Sequence, residues 1–171
     1  MASNLEIPQV PERLRILQTD NWSLNHRVDS ALPGYLILGA RVATAELWQM
    51  PKGALAELGT LLARAQHALS AVLQPEHLYI GRYGHTPGLA LHFHLIPVCS
   101  WVKESFFSDP RYRVLQGLSE ASSSHETDGA ELTLYVWREF CESSSPPAIS
   151  GPSVEEVIER LRAFMAEFEK S

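Results

Sequence analysis

The stretch Gly88-Leu89-Ala90-Leu91-His92-Phe93-His94-Leu95-Ile96-Pro97-Val98 alternates in side-chain character. Successive side chains on a β-strand point to opposite faces. The alternation therefore predicts a strand with Leu91, Phe93 and Leu95 turned into a core and Ala90, His92 and His94 on the other side. Side chains two apart on a strand stand roughly 6.5–7 Å apart. On one reading both imidazoles address a single small ligand; on the plainer reading two polar residues of a half-buried strand face water. Either way the chain has to supply neighbouring strands and a layer to cover the apolar face.

The rest of the sequence supplies both. Arg15-Ile16-Leu17-Gln18-Thr19-Asp20 and Trp22-Ser23-Leu24-Asn25-His26 read as two short strands with a turn at Asp20-Asn21. A polar connection then runs to Pro33-Gly34, where the freedom of Gly34 to take positive φ suits a tight reversal. Tyr35-Leu36-Ile37-Leu38 is a continuous apolar run and reads as a central strand. Arg41 to Met50 forms an irregular bridge, with Leu47 and Trp48 tucked against the core. Pro51-Lys52-Gly53 opens a long helix in which Leu55, Leu58, Leu62, Ala65, Leu69 and Val72 recur at helical spacing until Pro75 stops it. His67 on that helix reads as a surface residue. His77 to Tyr83 follows as a strand, and Gly84-His85-Thr86-Pro87-Gly88 makes a tight loop back into the histidine strand.

Beyond Val98 the pattern turns helical. Trp101, Phe106, Phe107 and Tyr112 make an aromatic-rich segment that suits a lid, a dimer-facing surface or local packing. Ser119–Thr127 and Ser143–Pro152 read as linkers. Between them Asp128 and Glu131 form a capping-box pattern for a helix through Leu132, Tyr135, Val136 and Phe140 to about Glu142. Ser153 caps a last helix with Glu155 and Glu156 in its first turn and a stripe of Val157, Leu161, Phe164, Met165 and Phe168. The expectation is an α+β architecture: about five antiparallel strands, one long packing helix and additional C-terminal helices. Residues 1–13 read as an extended lead-in, 14–118 as the main domain and 119–171 as a C-terminal helical extension.

Composition narrows the function. A formal charge of −6 opposes extended nonspecific contact with nucleic acid or an anionic membrane, though not a local basic pocket for one phosphate. Cys99 and Cys141 form no C-x-x-C pair and suggest a reducing compartment. The opening residues lack the apolar stretch of a signal peptide, and no run approaches the ~18 apolar residues of a membrane span. A cytoplasmic protein is expected.

Ala90-Leu91-His92-Phe93-His94-Leu95-Ile96-Pro97 resembles the histidine triad (HIT) family motif, H-φ-H-φ-H-φ-φ with φ apolar, at every position except the first histidine, which is Ala90. Upstream, Asn25-His26-Arg27 and Leu32-Pro33-Gly34-Tyr35 resemble the family's strand–turn–strand, with Tyr35 where a histidine commonly follows Pro-Gly. The likeness runs from about Leu14 to Val102. It implies a nucleotide as small-molecule ligand and a hydrolase or nucleotidyl transferase acting at the α-phosphate. In that chemistry His92 is the nucleophile that forms a nucleotidyl-histidine, and His94 contacts the phosphate and helps the leaving group. Thr86 and Gly88, with Gly84, are implied at the phosphate, and Arg82 near it. Asn25, His26, Arg27 and Asp29 are implied near the ribose. No cofactor or metal is required, and a homodimer is expected.

Imidazole suits such work because its unperturbed pKa of about 6.5 makes it nucleophile, acid and base near neutrality. Ala90 and Tyr35 remove polar support from the motif, with Tyr35 or His26 as the candidates to compensate. A non-catalytic nucleotide-binding or interaction protein is the alternative. A metal site built from His92, His94 and His85 is a third reading.

Overall fold

A computed structural model of the chain describes residues 6–83, 89–112, 127 and 129–168. Five strands form one antiparallel sheet: β1 (Arg15–Gln18), β2 (Trp22–His26), β3 (Leu36–Ala40), β4 (His77–Gly81) and β5 (His92–Val98). Their order across the sheet is β1-β2-β3-β5-β4, which puts the histidine strand between two partners. The helices are α1 (Lys52–Leu73), α2 (Ser100–Ser108), α3 (Gly129–Trp137) and α4 (Val154–Phe168), and a π-helical turn over Arg138–Glu142 continues α3. The α+β architecture expected from the sequence is the one observed. Asp128, the expected cap of α3, lies outside the described residues.

The two faces of the sheet carry separate cores. On one, Trp22, Leu24, Leu36, Leu38 and Leu95 pack against Leu61, Ala65 and Leu69 of α1 and Val157, Leu161 and Met165 of α4. These helix residues recur every four positions, so each helix turns one apolar stripe inward. The Trp22 indole N–H donates to the Ala54 carbonyl at 2.9 Å and ties β2 to the first turn of α1. Ser153 and Glu156 close a reciprocal capping box at the start of α4: the Glu156 N–H donates to Ser153 Oγ at 3.2 Å and the Ser153 N–H to Glu156 Oε2 at 2.7 Å. Arg162 of α4 then donates to the carbonyls of Glu12, Arg13 and Arg15, fastening this last helix to the start of β1.

On the other face, Tyr35, Ile96 and Val98 pack with Val102 and Phe106 of α2, with Leu132, Tyr135 and Val136 of α3, and with Tyr112 and Phe140. The aromatic segment after Val98 therefore packs locally, its Phe106 and Tyr112 buried in this core. His92 and His94 lie on this same face, so the side of the sheet opposite α1 is a second core and not a solvated surface.

Two local features differ from the sequence expectation or explain it. Leu47 packs on the core but Trp48 is 79% exposed. Leu47–Gln49 is a 3-10 turn, whose neighbouring side chains diverge by a third of a turn, so two consecutive residues cannot both face inward. Gly34 does make the reversal before β3, with φ of +80°, and an added Cβ there would stand 2.4 Å from Leu73 Cδ1. Left-handed backbone alone costs a non-glycine residue about 1–2 kcal/mol. Among the described residues no helix is long and apolar enough to cross a membrane. Cys99 and Cys141 are free thiols, and burial pushes both above the usual range.

Candidate active site

His92 and His94 project from β5 toward one another, ring centroids 5.0 Å apart. The sheet register sets Gly39 of β3 opposite His92, and Ile37 of β3 and Gly81 of β4 on either side of His94. Among the described residues no atom lies within 4 Å of a Cβ placed on Gly39, so none of them covers the sheet beside His92. The sequence reading passed over Gly39; a glycine interrupting the apolar run of β3 is the signal that was there to find.

His92 is half-buried, and its Nδ1 stands 2.9 Å from the carbonyl oxygen of Ala90. A carbonyl only accepts, so Nδ1 carries a proton, and in the neutral ring the lone pair is left on Nε2. The backbone at position 90 thus orients the ring, and an alanine serves for that purpose. Ala90 is itself held from the other end, its N–H donating to the Glu6 carbonyl at 3.2 Å beside a parallel bridge between Glu6 and Leu89.

His94 is 4% exposed and walled by aromatic rings: Tyr83 at 5.3 Å, Tyr35 at 5.9 Å and Trp137 at 6.4 Å between centroids. Its Nδ1 lies 2.9 Å from the Tyr35 hydroxyl. The same hydroxyl oxygen accepts from Arg27 Nη1 at 2.8 Å, and Asp29 grips that guanidinium at 2.5 Å and 3.0 Å. The Arg27 guanidinium stacks over the Trp137 ring at 4.4 Å. Trp137 comes from α3, which the sequence reading left without a role. The Nε2 of His94 is buried and has no hydrogen-bond partner among the described residues.

Burial pushes the His94 imidazole down to about 4, helped by the neighbouring His92 and Arg27. The Tyr35 phenol is pushed up to about 12, chiefly by burial. Asp29 is held below the usual carboxylate range by its hydrogen bonds from Arg27. Burial opposes the charge of Arg27, but its hydrogen bonds to Asp29 outweigh that and keep it firmly protonated. At neutral pH the group is therefore an ion pair, a neutral phenol and a neutral imidazole.

The remaining predicted site residues divide. Asn25 is buried beside this row, its amide donating to the His26 carbonyl at 3.3 Å. His26 is buried as a brace, with Nδ1 and Nε2 each 2.9 Å from a carbonyl, of Arg27 and Leu32. Burial lowers its pKa, against the pull of those two oxygens. Arg82 is engaged by the bridge segment, donating to the Ala45 carbonyl at 2.6 Å and to Glu46 at 3.3 Å. Thr86 and Gly88, with Gly84 and His85, lie outside the described residues. Among the described residues no group of three or more His, Cys, Asp or Glu side chains is placed to hold a metal ion.

Two buried histidines with lowered pKa make stability depend on acid. The unfolded chain takes up their protons near pH 6.5 and the folded chain does so only at lower pH. Their contribution is complete above pH 6.5 and is lost as pH falls toward 4. For His94 the loss is on the order of 3 kcal/mol. The melting temperature should fall over this window and fall less steeply in His94→Asn; a variant with an identical acid limb would contradict this.

No family profile and no curated protein matches the sequence. Solved structures do. A zinc-bound histidine triad family protein from Mycobacterium smegmatis superposes with a TM-score of 0.54 at 16% identity, over 94% of this chain and 88% of that one. A histidine triad protein from Bradyrhizobium japonicum gives 0.52 at 18% identity, over 91% and 96%. A uridylyltransferase gives 0.55 at 16% identity over 92% of this chain, which spans 42% of the enzyme's length. With a five-stranded antiparallel sheet, a long helix behind it and two histidines side by side on its second central strand, the chain has the fold of the histidine triad proteins.

Proposed function

We propose that the chain is a nucleotide phosphate hydrolase or nucleotidyl transferase that works through a covalent nucleotidyl-histidine. The observation that carries this is the orientation of His92: with Nδ1–H bound to the Ala90 carbonyl, the lone pair of the neutral ring is left on Nε2, beside a stretch of sheet at Gly39 that no described residue covers. In the first step Nε2 forms a bond to the α-phosphorus, and the bond from phosphorus to the leaving group breaks with its electron pair going to that group. In the second, water or another acceptor attacks phosphorus, the N–P bond breaks, and the imidazole is regenerated as the acceptor's proton passes to solvent. His94, buried 5.0 Å from His92 between ring centroids, meets the phosphoryl oxygens. Low-dielectric surroundings strengthen such contacts to developing charge.

Nucleotidyl transfer is also what the uridylyltransferase neighbour's name describes. In this reading Thr86, Gly88 and Arg82 serve the phosphate, Arg82 by exchanging its Glu46 partner, while Asn25, Arg27 and Asp29 lie toward the nucleoside. A homodimer belongs to the same proposal; Ile80 on the edge strand β4 is exposed.

The test is intact mass after an acid-free quench of the protein with adenosine 5′-phosphoramidate or a diadenosine polyphosphate, alongside turnover. An added nucleotidyl mass is expected. Thermal stabilisation by nucleotide with neither adduct nor turnover would replace this proposal with a binding module.

A further inference from the structure

The contacts around Tyr35 have a direction. A guanidinium offers donors and no acceptor, so Arg27 donates to the phenol oxygen at 2.8 Å. The phenol's single proton is then left for the other neighbour, His94 Nδ1 at 2.9 Å. A neutral imidazole that accepts at Nδ1 carries its proton on Nε2. That nitrogen is the buried one with no partner among the described residues. Asp29 holds the guanidinium from two sides, and Trp137 lies against its face at 4.4 Å, so the origin of the sequence is fixed in place. Without Arg27 the hydroxyl would be free to turn and accept from Nδ1–H, which would reverse the imidazole.

We propose that Tyr35 is a positioning residue which, polarised by Arg27 and Asp29, donates to His94 Nδ1 and locks His94 as the Nε2–H tautomer. His94 then presents a hydrogen-bond donor to the group it faces. That this group is a phosphoryl oxygen rests on the proposed function; the tautomer does not. The two histidines are thereby set to opposite tautomers, Nδ1–H for His92 by a backbone carbonyl and Nε2–H for His94 by a phenol. One ring is set to offer a lone pair and the other a proton, with their centroids 5.0 Å apart.

The experiment is imidazole ¹⁵N NMR on the ligand-free full chain at pH 7, with Tyr35→Phe as the variant. In the wild type, His94 should show an unprotonated Nδ1 and a protonated Nε2. Tyr35→Phe keeps the ring and removes only the hydroxyl, and there the Nε2–H signature should give way to a mixture of tautomers. In turnover the same variant should lose roughly ten- to a hundred-fold in kcat with KM little changed, the usual cost of removing a group that orients another. A wild-type His94 protonated at Nδ1 overturns the proposal without any variant, and so does a Tyr35→Phe spectrum with both nitrogen signals unchanged. The nitrogen signals are read without substrate, so a protein that shows the tautomer but no nucleotidyl chemistry would refute the proposed function and leave this inference standing.

Discussion

Replacing His92 with alanine is expected to lower nucleotide turnover by about 10⁴-fold or more and to abolish the nucleotidyl adduct, because in the proposed chemistry His92 carries the covalent intermediate. The fold should hardly notice. His92 is half-buried and makes one hydrogen bond among the described residues, to a carbonyl, whose net worth is about 1 kcal/mol. The informative comparison is with His94→Ala, where adduct should still form, only slowly, since the nucleophile remains. If His92→Ala turned over nucleotide at the wild-type rate, the chemistry would belong elsewhere. If His92→Ala and His94→Ala lost the adduct equally, the division of labour between the two rings would be wrong.

The largest effect on stability is expected at Trp22→Ala, about 3–5 kcal/mol, in the range for truncating a fully buried aromatic. Trp22 is 1% exposed, sits among Leu24, Leu38 and α1, and donates its indole N–H to Ala54. Its removal leaves a cavity at the seam between sheet and helix. Trp22→Phe separates the two contributions, keeping most of the volume and losing the hydrogen bond. Urea unfolding should show a lower midpoint for both variants, Trp22→Ala the lower, with slopes like the wild type. Trp22 lies on the α1 face and the histidines on the other. Adduct formation by the folded fraction of Trp22→Ala should therefore proceed at the wild-type rate; a matching loss there would mean the two faces are not independent.

Period-two alternation made the histidine strand legible, and three- and four-residue spacing made α1 and α4 legible, because both signals are local. Even the reciprocal Ser153–Glu156 cap was foreshadowed by the residue types at its ends. What escaped was every contact that closes over distance. Tyr35 read as a departure from a motif, yet it meets His94 across the sheet, 59 residues away in sequence. Ala90 read as a missing side chain, whereas the contact that orients His92 comes from its backbone, which every residue type possesses. Trp137 gave no sign of a role, since its helix is periodic for packing and its meeting with Arg27 depends on how that helix lies on the sheet. Arg27 and Asp29 were singled out, but as separate polar residues and not as one clamp.

The tie between α4 and the start of β1, through Arg162, has a consequence for biosynthesis. Strands made early are finished by helices made late. As the chain leaves the ribosome, β1 to β5 emerge before Trp137 exists to sit beside His94 and before Val157, Leu161 and Met165 exist to cover the α1 side. The face opposite α1 is then apolar and bare, the α1 face is only partly covered, and β1 is an open edge, the condition in which partly made chains aggregate or engage chaperones. The histidine pair gains its surroundings only when translation has passed Trp137, so the site is assembled only after the C-terminal third has docked.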